Sequence, residues 1–220
     1  KTITVMALPI IAGKFFFSLG RVIVNGIAAI YGTTAIAAFG LATKLVGGPG
    51  AIAAIYEEST AAMASMNIGD RKVKRAFQTY VSANVQAVLI GLVGMLLVVT
   101  FIDTMIPWFT TNSSVEFATL AKHIFAFEKF SIMSSATIAI VGATFISFKL
   151  PRMSFYLNMI RLYALRIPIL ILLIALKVEA IALGYVMFIS NTTTAIISIV
   201  LIYVYYRKIK QFGYLDMAYD

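Results

Sequence analysis

The apolar positions of this chain fall into six long runs, at about 5–30, 35–65, 77–101, 119–147, 157–176 and 180–205. Each matches or exceeds the about 20 residues that a bilayer-spanning helix needs. Hydrocarbon offers no partner for a free backbone amide, so such runs are helices rather than open strands. The separators are turn formers or charges. Gly32-Thr33-Thr34 ends the first run, and Asn67-Ile68-Gly69-Asp70 ends the second. Asp103 to Ser114, with Pro107 and Trp108, parts the third from the fourth, and Phe148 to Arg152 parts the fourth from the fifth. Lys177-Val178-Glu179 is a tight turn before the sixth. The pattern predicts an all-α membrane protein, a bundle of six transmembrane helices spanning 1–210, with a cytoplasmic tail over 211–220.

The second run is too long for one straight crossing and carries an internal breaker, Gly47-Gly48-Pro49-Gly50. Proline deletes a helical donor and crowds the preceding turn, so a kink or an unwound turn is expected near mid-membrane. A break there marks either helix packing or a binding region.

Composition agrees with the pattern and removes other classes. At 61% hydrophobic and 12% charged residues the chain lacks the polar surface of a water-soluble domain. The net charge of +9 reads as topology-setting and lipid-facing, with no nucleic-acid partner. Lys1, Arg71, Lys72, Lys74, Arg75, Lys149, Arg152, Arg161, Arg207, Lys208 and Lys210 collect on one side; only Lys122 and Lys177 fall on the other. The positive-inside rule then places both termini of this segment in the cytoplasm of a multi-pass cell-membrane protein. The first run is too long for a signal peptide and lacks a cleavage signature. The opening Lys1-Thr2-Ile3-Thr4 reads as the start of a C-terminal piece of a longer polypeptide. With no cysteine, one histidine and no cluster of acids, no metal centre is expected beyond a bound Na⁺. No Walker loop or nucleophile–base set is present, so the chain reads as a non-enzyme with no cofactor.

Charges at bilayer depth are expensive and therefore informative. In the first helix Lys14, Ser18, Arg21 and Asn25 recur at helical spacing and form one stripe, expected to face the interior or a cavity as a cavity-lining, substrate-facing strip. Glu57 and Glu58 follow the second-helix break, and adjacent positions diverge by about 100°, so one of them faces inward. Their partners are either Lys14, Arg21 and Lys44 in a structural ion pair or a coupling Na⁺ or H⁺, since a carboxylate that changes surroundings changes its proton or cation occupancy. Glu128 shares a face with Ser131 and Ser135 and has no local counter-ion facing it; it is either the third cation-coupling candidate or the partner of a basic residue on the first or second helix. Arg161 is expected to snorkel to the headgroups, with Arg166 either doing so or pairing internally. Asn191 opens a polar patch reaching Thr194, suited equally to helix packing and to substrate contact. Charged interiors of this kind point to a transporter or a channel.

Four stretches carry a resemblance. They are Leu8-Pro9; Tyr31-Gly32-Thr33-Thr34-Ala35-Ile36-Ala37-Ala38-Phe39-Gly40; Asn67-Ile68-Gly69-Asp70 with Arg75-Ala76; and Arg161-Leu162-Tyr163-Ala164-Leu165-Arg166-Ile167-Pro168. In their order and spacing the chain resembles the C-terminal half of a multidrug and toxic compound extrusion (MATE) transporter. The resemblance implies one lobe of a twelve-helix secondary antiporter that exports small organic, toxic or drug-like compounds in exchange for Na⁺ or H⁺ by alternating access. It also implies an N-terminal six-helix lobe of the same polypeptide as partner, besides membrane lipid. This chain departs from members with a first-helix carboxylate, carrying Lys14 and Arg21 instead. That keeps open a lipid-linked oligosaccharide flippase of the same superfamily, with these two cations on the phosphates. A non-transporting membrane assembly subunit is the remaining alternative.

Overall fold

The computed structural model describes residues 2–109 and 114–212, and every regular element among them is a helix. In order these are α1 (Thr2–Ala28), a 3₁₀ turn (Ala29–Tyr31), α2 (Thr33–Gly69), α3 (Val73–Phe109), α4 (Val115–Glu128), α5 (Ser131–Ser147), α6 (Pro151–Met159), a π-helical segment (Ile160–Arg166), α7 (Ile167–Ala175) and α8 (Ala182–Phe212). Among the described residues five continuous helical stretches are long and apolar enough to cross a bilayer, and there are six when the bent pair α4–α5 is counted as one span. Of the expected tail, 211–220, only Gln211 and Phe212 are described, and they end α8; the rest, like Lys1, lies outside the described residues.

Three expectations need correction. The second helix does not unwind at Gly47-Gly48-Pro49-Gly50: α2 runs unbroken with Pro49 inside it. A proline removes one donor only, and the surroundings offer the remaining amides nothing better than the helix. The ring is accommodated by α3, where Gly94 lies so close that a Cβ there would fall 2.6 Å from Pro49 Cβ. The fourth run is not one straight helix but bends by 45° between α4 and α5, at Lys129 and Phe130. Neither residue is a helix breaker, and the corner stays hydrogen-bonded through Lys129 N–H to Phe125 O at 2.9 Å and Ile132 N–H to Lys129 O at 3.3 Å. Packing sets this bend. Finally, Pro151 and Arg152 do not separate helices; they form the first turn of α6, where a proline needs no donor.

The bundle is built around α2 and α5. α2 packs on α3, α4 and α5, while α5 packs on α3, α6 and α8 and is buried along most of its length. Close crossings rest on small residues. A Cβ on Gly184 of α8 would lie 2.7 Å from Ile124 O of α4, and one on Gly20 of α1 would overlap Leu162 of the π segment. α1 leans on α6 and the π segment and has little contact with α2. That separation leaves a cleft between the first two helices.

Candidate functional site

The cleft holds a cavity of about 270 Å³. α1 contributes Arg21, Val24 and Asn25; α2 contributes Ile36, Phe39, Gly40, Thr43 and Lys44; Arg166 and Met187 close it from behind. At about 1.5 Å per residue, Arg21 lies about 10 Å from the α1 end at Ala28. Lys44 lies about 16 Å from the α2 start at Thr33 by the same rise.

Behind Thr43 sits Glu128, 0% exposed at the end of α4. Thr43 Oγ1 donates to Glu128 Oε1 at 3.1 Å. Glu128 Oε2 has no hydrogen-bond partner, and neither has the buried Ser131 Oγ that opens α5 just past the bend. Buried polar atoms are normally hydrogen-bonded, so these two oxygens single out the α4–α5 corner. The cation within electrostatic reach of Glu128 is Arg166, across the core and on neither of the first two helices, and the two form no direct ion pair. The direct ion pairs among the described residues are Lys72–Asp70, in the α2–α3 turn, and Lys122–Asp103, between α4 and α3.

Arg166 is 4% exposed. Its Nε donates to Ser190 Oγ at 3.2 Å and its Nη2 to Asn191 Oδ1 at 2.8 Å. Arg161 does not snorkel. Its Nε donates to the same Asn191 Oδ1 at 2.6 Å, and its guanidinium lies 5.5 Å from the centre of the Phe17 ring. The π segment is what makes this sharing feasible. Five positions along an α-helix turn through about 500°, which sets two side chains about 140° apart. In a π-helix residues i and i+5 are backbone-bonded neighbours, so Arg161 and Arg166 reach one acceptor on α8.

The other sequence candidates divide. Lys14, Ser18, Arg21 and Asn25 do share a face of α1, but within this bundle that face is exposed, and only Arg21 and Asn25 line the cavity. Glu57 is half-buried and Glu58 exposed; Lys14 is the cation whose field reaches Glu57. Lys44 lines the cavity with its ammonium 6.0 Å from the Phe109 ring centre. Ser135 spends its hydroxyl on the Ser131 and Ile132 carbonyls. Sequence reasoning missed Thr43 and Ser190 and misplaced Arg161. Ser190 adjoins the Asn191 patch and Thr43 adjoins Lys44, which is all the signal the sequence holds for either. A larger groove, about 690 Å³ between α2 and α3, is lined by Tyr56, Thr60, Asn67, Arg75 and Gln86 among others and by none of the candidates above. No group of three metal-ligating acids or histidines occurs among the described residues.

The chain is an all-α, multi-pass membrane bundle with a charged cavity between its first two helices. The family profile named MatE matches residues 9–172, and the chain belongs to that family. No curated protein matches. Among solved structures, an outward-facing multidrug resistance MATE family transporter of the MOP superfamily superposes with a TM-score of 0.87 at 16% identity, covering 93% of this chain and 46% of that one. A MATE in complex with MaL6 gives 0.89 at 16%, covering 96% and 47%. A MOP superfamily transporter from Pyrococcus furiosus, described as having a binding pocket of reverse polarity that suggests a different function, gives 0.85 at 16%, covering 93% and 46%. The chain spans about half the length of these transporters.

Proposed function

We propose that the chain is the C-terminal lobe of a secondary antiporter that exports small organic compounds in exchange for Na⁺ or H⁺, working with an N-terminal six-helix lobe of the same polypeptide. Two lobes rock about a midplane site and expose it to each side in turn. The distribution of Lys and Arg supports cytoplasmic termini. Within the lobe, Glu128 is the coupling group. The observation that carries this is its carboxylate, buried beside a helix corner with one oxygen unpartnered and the other tied through Thr43 to the cavity wall. A carboxylate so placed exchanges proton or cation occupancy when the corner or the cavity changes shape, because its surroundings then change. Glu57, paired in field with Lys14, is the secondary candidate, and Glu58 on the exposed side ranks below it. Of the two cations that a flippase reading sets on phosphates, Arg21 lines the cavity and Lys14 does not.

The test is Glu128→Gln in the intact polypeptide as its gene encodes it, reconstituted in liposomes with an imposed Na⁺ or pH gradient and a fluorescent organic compound as cargo. Gln preserves shape and the hydrogen bond from Thr43 but cannot titrate. The expected result is normal expression and folding, with gradient-driven transport lost. Full, ion-dependent transport by a well-folded variant would overturn the coupling role.

A further inference from the structure

The charge around the cavity does not balance. Arg21, Lys44 and Arg166 line it, and no acidic side chain does. Behind the wall, Arg161 adds a fourth cation within the field of both Arg166 and Arg21. Against these stands Glu128 alone, reached electrostatically by Arg166 and separated from the cavity by Thr43. The acceptor that Arg161 and Arg166 share, Asn191 Oδ1, is neutral. Arg166 is buried, whereas Arg21 and Lys44 are exposed within this lobe, so the cavity presents net positive charge on its open side, and the group complementary to it is anionic.

The chemistry of the lining says what that is. Two guanidiniums offer planar forks of N–H donors that match carboxylate and phosphate oxygens. Lys44 adds a point charge and Asn25 a carboxamide. Val24, Ile36, Phe39 and Met187 supply apolar walls. A volume of about 270 Å³ falls just below the usual range for drug-sized ligands, so the pocket suits one anionic group with a small apolar attachment.

We propose that this cavity is an anion site: Arg21, Lys44, Arg166 and Asn25 take the carboxylate or phosphate group of the transported compound or of a bound lipid. The proposal deepens the transport reading and rests on it only for the purpose of the anion. Thr43 lines the cavity and also donates to Glu128, so the site touches the coupling carboxylate through one hydroxyl.

The experiment is equilibrium binding, read as thermal stabilisation of the intact polypeptide in detergent at fixed ionic strength. The probes are inorganic phosphate, benzoate and, as the cationic counterpart, benzylammonium. Phosphatidylcholine nanodiscs with and without phosphatidylglycerol test the lipid source. Phosphate or benzoate should raise the unfolding midpoint saturably, while benzylammonium leaves it unchanged. Loss of one charge-assisted contact in Arg21→Gln or Lys44→Gln should weaken the apparent affinity about tenfold or more. Each variant's own midpoint without ligand is the baseline against which its stabilisation is read. Stabilisation by phosphatidylglycerol alone assigns the site to a lipid headgroup, and stabilisation by the soluble anions assigns it to cargo. Equal stabilisation by benzylammonium, no stabilisation by any anion, or undiminished stabilisation in the Arg21→Gln/Lys44→Gln double variant would overturn the proposal. Binding and coupling fail separately. Unaltered transport in Glu128→Gln removes the coupling role and leaves the anion site, whereas absent anion binding removes the site and leaves coupling.

Discussion

The chain disturbs its membrane helices at two contrasting places. Around Pro49 the local sequence demands a break, and α2 passes through without one. At Lys129 and Phe130 the local sequence demands nothing, and the helix bends by 45°. The first disturbance is absorbed by a neighbour, since Gly94 on α3 lets the proline ring lie against its backbone. The second is imposed by neighbours and is lined with unsatisfied polar atoms, Glu128 Oε2 and Ser131 Oγ. Local propensity is thus a poor guide to where a packed membrane helix yields. The bend coincides instead with two unpartnered polar atoms, at the corner proposed to carry the coupling carboxylate.

Substitutions can break this contrast, beginning at the corner. Arg166→Met leaves Glu128 buried without its distant cation and Asn191 with one donor fewer. Removing one partner of a buried charged network costs about 3–5 kcal/mol, and Arg166→Met should approach that figure in unfolding by denaturing detergent. Adding Glu128→Gln should recover part of the loss if the two charges act as one unit. Simple additivity would show that the corner is held by packing alone.

At the other disturbance, Gly94→Val should cost about 1–3 kcal/mol by overpacking against the ring of Pro49. Pairing it with Pro49→Ala should restore most of that, and the double variant measures the contact directly. By itself Pro49→Ala should shift stability by about 1 kcal/mol or less, because regained helix propensity is offset by the lost contact with Gly94. A large loss on Pro49→Ala would mean the proline shapes α2 after all.

The smallest expected effect lies at the α2–α3 turn. There Lys72 Nζ bonds Asp70 Oδ2 at 2.9 Å and holds the Asp70 carboxyl below its ordinary range. A depressed carboxyl contributes stability above its unfolded value and loses it as pH falls through its folded value. Both side chains are exposed, so the contribution is minor. Acidification from about pH 6 to about pH 3 should lower the amide protection factors around Asn67 to Lys72, measured against the intrinsic exchange rate at each pH, with no change in the global midpoint. Asp70→Asn should abolish that acid sensitivity.

How much was legible beforehand follows the same division. Helical crossings are written in runs of apolar residues, and the six runs correspond to the five continuous spans and the bent pair. Arg21, Asn25, Lys44, Glu128 and Asn191 stood out because charges and amides are rare at such depth. The α1 stripe was visible as a stripe, but the open side it faces depends on α1 leaning away from α2. Helix ends were harder. Arg71, Lys149 and Lys177 adopt φ of 59°, 60° and 56° where glycine is the usual signal, so these terminations follow from hydrogen bonds such as Leu150 N–H to Phe145 O at 2.9 Å.

By itself the sequence determined that the chain lives in a membrane, roughly where it crosses, and which side chains are too polar to face lipid. Those properties are sums over local transfer free energies and need no knowledge of neighbours. Tertiary structure alone decided which of those side chains meet. Arg161 and Arg166 share Asn191 only because Ile160–Arg166 is wound as a π segment. Glu128 reaches Thr43, 85 positions away, only because α2 and α4 pack together. Whether a buried charge lines a cavity, is matched by an acid or stands unbalanced depends on helix winding and on crossings between distant segments. A residue's own hydropathy carries neither.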